Sequence, residues 1–174
     1  MTATYEVIAT ATLVSNAQPI TFTSIPQTYT DMKVIIQGGI TDNGFNIGVR
    51  VGNNTLDSGS NYSWTFMEGG GSSIYGSKGT NVSHGVLMNG TSSNNRTNVI
   101  SIDFMNYSNT TTLKPYISRA GLSSIFNCQL VGTWRSTSAI NTISFAQVNN
   151  ANFWQYGGGL LSSTIITLYG IKAE

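Results

Sequence analysis

Charge is what this chain has least of. Only 9% of its 174 residues are Asp, Glu, Lys or Arg, against about 25% in an ordinary soluble protein. Eight basic and seven acidic residues leave a formal net charge of +1. The cations (Lys33, Arg50, Lys78, Arg96, Lys114, Arg119, Arg135 and Lys172) stand singly along the chain. Binding to nucleic acid through counterion release needs them clustered, so a genome-binding role is not expected. One cysteine, Cys128, leaves no internal disulfide framework. No apolar run approaches the roughly 18 residues of a membrane span, so no membrane partner is expected. The opening MTATYEVIATATLV has no basic n-region and places Glu6 inside its apolar stretch, unlike a secretory signal. Seven Asn-x-Ser/Thr acceptors, from Asn53 to Asn109, are what chance gives a chain this rich in those residues.

What replaces the charge is Ser, Thr, Asn and Gly. A surface built from them stays hydrated without strong long-range fields, which suits permanent packing against other subunits. Hydrophobic residues make up 40% of the chain and aromatics 10%. A chain of this length makes one domain, expected over residues 1–174, able to bury about 70% of its unfolded surface.

No window carries a sustained helical stripe; period-two alternation dominates. Tyr5, Val7, Ala9, Ala11 and Leu13 alternate with more polar neighbours, and so do Met32, Val34 and Ile36. Phe45, Ile47, Val49 and Val51 alternate with Asn46, Gly48 and Arg50, which predicts a half-buried strand. Tyr62, Trp64 and Phe66 share a face, as do Ile100, Ile102 and Phe104, and Ile166 and Leu168. Asp42-Asn43-Gly44 and Asn89-Gly90 are hairpin-turn signals. Pro115 cannot donate to a ladder, so its strand is expected at a sheet edge. Eight to ten strands at this spacing predict an all-β fold: a single antiparallel β-sandwich of jelly-roll type.

Candidate chemistry is sparse. Gly71-Ser-Ser-Ile-Tyr-Gly76-Ser77-Lys78 comes close to a phosphate-binding loop. However, Ser77 intervenes before the Lys and no helix pattern follows, so a glycine-rich hairpin loop is expected instead. His84, the only histidine, lacks the orienting acid and activated nucleophile of a relay. With Cys128 it cannot fill a zinc site. Asp31, Asp42 and Asp57 stand in turn contexts where capping explains them, and Asp103 is expected to face outward. Calcium at Asp42 or Asp57, completed by Asn and carbonyl oxygens, is the nearest metal reading, but turn capping is the expected role of both. No enzyme activity, catalytic residue, cofactor or metal is expected. Cys128 alternates with Phe126 and Leu130 and is expected to be a buried, inert thiol. In NNANFWQYGGGLL, Phe153, Trp154 and Tyr156 precede three glycines in a polar connection. They either close the end of the sandwich or anchor a protein or sugar contact.

The stretch YEVIATATLVSNAQPITFTSIPQTYTDMKVII resembles the start of a family of virion proteins of tailed bacteriophages. The likeness continues through VRVGNNTLDSGSNYSW and resumes at SAINTISF and TIITLYGIKAE. It covers both ends of the chain and is looser over residues 70–130. These motifs mark strands and turns and name no reaction. The resemblance implies a jelly-roll module on the outer capsid surface, made in the cytoplasm of the bacterial host. It implies a decoration or cement protein that binds the major capsid protein and its own copies, as a homo-oligomer, expected to be a trimer. A head- or tail-fibre module that binds a host receptor or surface glycan is the alternative. The cluster at Phe153, Trp154 and Tyr156 departs from the blander connection expected there.

Overall fold

The computed structural model describes residues 4–16, 19–41, 45–70, 72–88, 98–121, 126–149 and 159–172. Thirteen strands and no helix are found among them: β1 (Tyr5–Thr12), β2 (Ile20–Phe22), β3 (Asp31–Gly38), β4 (Asn46–Asn53), β5 (Thr55–Leu56), β6 (Tyr62–Gly70), β7 (Ser73–Val82), β8 (Gly85–Met88), β9 (Asn98–Phe104), β10 (Lys114–Gly121), β11 (Phe126–Trp134), β12 (Thr142–Val148) and β13 (Ile165–Ile171). They form a β-sandwich of two sheets. The larger has eight strands in the order β1-β13-β3-β9-β10-β11-β6-β7. The smaller runs β2-β12-β4-β5, with β8 also pairing β4. Every pairing is antiparallel.

Alternation sets which side of the larger sheet faces the core. Met32, Val34 and Ile36 of β3 are fully buried, and so are Ile100 and Ile102 of β9. The register places Val34 opposite both Ile102 and Leu168, so the three strands add to one continuous apolar layer. Each such side chain contributes about 1.5–3 kcal/mol on burial, which is why the register holds. Cys128 lies within this core, as its alternation predicts.

Three details depart from the sequence reading. A bulge between Val7 and Ala9 splits the first strand's apolar series. Ala9 and Ala11 pair with core residues Leu168 and Ile166, whereas Tyr5 and Val7 turn to solvent. Second, β4 is buried on both faces apart from a half-buried Arg50 and its exposed last residue, Asn53. Gly48 permits this, because a Cβ there would fall 2.6 Å from Val148 on β12. Third, β10 is not an edge strand; it lies between β9 and β11. Pro115 is its second residue, one position beyond the last β9–β10 pair (Tyr116↔Phe104). The missing N–H therefore falls where β9 has already ended and costs no bond of that ladder.

Large polar side chains tie the two sheets together. The Tyr62 hydroxyl on β6 accepts the Val51 N–H of β4 at 3.0 Å and lies 3.0 Å from the Asp57 carbonyl oxygen. Tyr116 of β10 donates to the Val86 carbonyl of β8 at 3.2 Å, and Ser118 donates to Leu87 at 2.6 Å. The Tyr116 ring fits because two neighbours have no side chain. A Cβ on Gly132 would sit 2.1 Å from its Cζ, and one on Gly85 would sit 2.4 Å from its hydroxyl oxygen. Burial raises the pKa of both tyrosines well above the ordinary phenol value, so they remain neutral donors.

Gly132→Ala is expected to destabilise the fold by about 1–3 kcal/mol, because the Tyr116 ring has no free direction in which to move. Tyr116→Phe is expected to cost about 1 kcal/mol by leaving the Val86 carbonyl without this donor. Urea denaturation of the two variants measures both. A Gly132→Ala midpoint equal to wild type would contradict the packing described.

Candidate functional site

The candidate residues for chemistry are held in hydrogen bonds and ion pairs where the structure describes them. His84 is 1% exposed and precedes β8. Its Nδ1 lies 3.4 Å from Ser83 Oγ, and Arg50 Nε donates to the Ser83 carbonyl at 2.9 Å. A hydroxyl and an imidazole are thus adjacent; Arg50 is held by Ser83, and the ring shares a backbone hydrogen bond with Asn149. Burial and the Arg50 charge push the His84 pKa down to about 4, against a smaller opposing effect of a backbone hydrogen bond with Asn149. The ring is neutral at pH 7 and closed to substrate.

Asp57 is a hub for N–H donors. Its Oδ1 accepts from Gly59 N at 2.7 Å, and its Oδ2 accepts from Trp134 Nε1 at 2.7 Å and Asn61 Nδ2 at 2.8 Å. Burial raises its pKa, but these three bonds and the Arg50 charge outweigh that and hold the carboxyl below its usual value. Oxygens pointed at N–H groups are set for hydrogen bonding, not for calcium. Asp31 accepts the Asn106 N–H at 2.7 Å, a bond to a backbone group distant in the chain and not the local turn cap its context suggests. Asp103 faces outward as expected and pairs with Lys33 at 2.6 Å. Asp42 lies outside the described residues, and among those described no three metal-ligating side chains cluster. Gly76-Ser77-Lys78 is strand, not loop, contrary to the hairpin-loop reading: it forms the middle of β7. Gly79 is glycine because a Cβ there would overlap the Trp64 indole at 2.5 Å. Phe153, Trp154 and Tyr156, the expected anchor, lie outside the described residues.

Among the described residues, two features of the larger sheet are open to a partner. The first is its edge at β7. Natural sheets blunt their edges with short strands, bulges or charges. Here β2 has three residues, β5 two and β8 four, and β1 carries the bulge at Val7/Ala9. By contrast β7 runs ten residues, with no proline, one charge (Lys78) and its only register shift at the Val82 end.

The second is a dish of about 540 Å³ on the outer face, crossing β10, β11, β6 and β7. The register fixes its plan. One row across the sheet reads Gly121, Asn127, Gly69, Ile74; the next reads Arg119, Gln129, Met67, Gly76. Met67 is 64% exposed and Ile74 81%. The glycines form the floor. A Cβ on Gly69 would meet nothing within 4 Å, and one on Gly121 only the Asn127 Oδ1 at 3.7 Å. Among the described residues neither packing nor a left-handed backbone requires glycine at these places. No motif announces the dish, since its residues come from four strands and meet only through register. Gly69 and Gly121, at the hairpin ends of their strands, read in the sequence as ordinary turn punctuation.

A scan against protein-family models, a search of characterised proteins and a search of solved structures each find no match for this chain.

His84 leads to a pH prediction. Its folded pKa of about 4 lies below the ordinary value of 6.5, so between the two the unfolded chain binds more protons and stability rises with pH. The contribution is complete above about pH 6.5 and is lost as pH falls toward about 4, amounting to about 3 kcal/mol. Urea titrations of wild type and His84→Gln between pH 7 and 4 check this; the variant is expected to lose less stability over that range. Parallel curves would contradict it.

Proposed function

We propose that this chain is a jelly-roll virion protein that decorates and cements a bacteriophage capsid. On this reading it binds the major capsid protein from the outside, as a homo-oligomer, with the trimer implied by the resemblance as the expected state. The observation that carries the reading is the nesting of strand pairs. The first strand β1 pairs with the last, β13; β2 pairs with β12, β3 with β9 and β4 with β8. A single long hairpin rolled into two sheets pairs its strands in this order, and the architecture is common in viral capsid proteins and in lectins. The remaining strands are two insertions, β5–β7 after β4 and β10–β11 after β9. They pair with each other through β6 and β11, widening one sheet beyond the four strands that the roll supplies.

Assembly would use the open β7 edge, where a strand from another copy can add to the ladder. The low charge supports such contacts: little repulsion opposes them, and many weak contacts summed over an oligomer give avidity without a dominant hot spot. Placement on a fibre, with receptor or glycan binding, is the second reading; the open dish is the feature that favours it.

The test combines reconstitution with proline scanning. Capsids stripped of this protein are re-incubated with wild type or with single prolines at positions 74 to 79 of β7, and occupancy and heat resistance are measured. Alternate positions point their N–H outward. Proline at those positions is expected to lower occupancy about tenfold or more, roughly the loss of 1.4 kcal/mol or more, while the monomer stays folded. Proline at the intervening positions breaks the β6–β7 ladder and unfolds the hairpin. Protein found only on fibres would exclude cementing, and outward prolines without effect would remove the β7 contact.

A further inference from the structure

We propose that the dish on β10, β11, β6 and β7 binds a saccharide that carries a carboxylate. Its two walls differ in chemistry. On the β10–β11 side stand Arg119, whose guanidinium offers donors only, and Gln129 and Asn127, whose amides offer both donors and acceptors. On the β6–β7 side stand Met67 and Ile74, both exposed apolar side chains. A pyranose has the matching division: hydroxyls at its rim and C–H groups on its faces. The span of four strands is about 14 Å, and the volume falls in the range of small-ligand sites, enough for about two rings.

The charge is supplied by Arg119. Among the described residues the ion pairs are Lys33–Asp103 and Lys172–Glu6, and neither involves Arg119. The guanidinium is exposed on the outer face, beside Gln129 and Ser101 in register. A fork of this kind pairs a carboxylate through two parallel bonds, which a lone ammonium cannot do. Gly69 and Gly121 complete the argument. They stand at the hairpin ends of β6 and β10 and leave the backbone there with no side chain of their own to cover it. Among the described residues nothing lies within 4 Å of where a Gly69 Cβ would sit, and at Gly121 only the Asn127 Oδ1 comes near, at 3.7 Å. The site is independent of where on a particle the protein sits.

Calorimetric titration of the native protein with digalacturonate tests the proposal, with maltose and acetate as controls. Saturable binding is expected, with a Kd of about 1 mM or tighter. Arg119→Gln is expected to weaken it about tenfold or more, and Arg119→Lys to restore only part of the loss. Gly69→Val should abolish binding while the melting temperature holds or rises, because the added side chain enters open space and favours the strand. Gly121→Ala serves as a second blocking variant should Gly69→Val fail to fold. Chemical-shift changes at the Gln129 and Asn127 side-chain amides locate the ligand. No saturation by about 20 mM digalacturonate, equal binding of maltose, or equal competition by acetate would each overturn the proposal. So would a change in oligomeric mass with Gly69→Val, which would assign the dish to a second copy of the chain.

Discussion

The fold depends on how two sheets of unequal width are held at a fixed separation. Apolar contact alone tolerates sliding; a hydrogen bond across the gap does not. Tyr62, Tyr116 and Ser118 of the larger sheet reach backbone groups of β4 and β8 in the smaller one. Each hydroxyl satisfies a backbone group that would otherwise be costly to bury. The Tyr116 ring stacks obliquely on Phe104, with centroids 5.4 Å apart, and occupies the space left by Gly85 and Gly132. A tyrosine and two glycines, distant in sequence, thus set the spacing between β8 and the larger sheet.

The same spacing explains why so few charges suffice. Lys114 begins β10 with its side chain buried, its ammonium held by the carbonyls of Thr112 and Thr137 at 2.5 and 3.1 Å. Burial lowers its pKa, and the two carbonyls replace part of its lost hydration. Elsewhere the work of charge is done by amides and hydroxyls. Asn141 caps the turn at Asn53 and Asn54 through both ends of its amide, at 2.6 to 3.0 Å. Asn109 accepts from the N–H groups of Thr111 and Thr112 at 2.7 and 2.9 Å. Such bonds fix loops without creating a long-range field. The result is a surface with few formal charges.

Much of the strand pattern was legible in the sequence. Inward residues such as Met32-Val34-Ile36 and Tyr62-Trp64-Phe66 could be read because burial on one face imposes period two. Misreadings arose where a neighbour distant in the chain set the environment. The bulge at Val7/Ala9 reversed the facing of Tyr5, and the early end of β9 let Pro115 enter a central strand. Val148 filled the place of a side chain at Gly48 and buried a strand expected to be half exposed. The stretch around Gly76 looked like a loop because glycine weakens strands. Pairing with β6 makes it one, and the Trp64 indole explains Gly79.

By itself the sequence determined the all-β class, the inward face of most strands, the burial of Cys128 and the turn-capping role of Asp57. These follow from local alternation and from side chains bonding to backbone a few residues away or across a turn. Tertiary structure alone decided the strand order, the open β7 edge and the dish. Arg119, Gln129, Met67 and Gly69 acquire a common site only through cross-strand register, and register is fixed by the summed burial of whole sheets rather than by any residue's own preference.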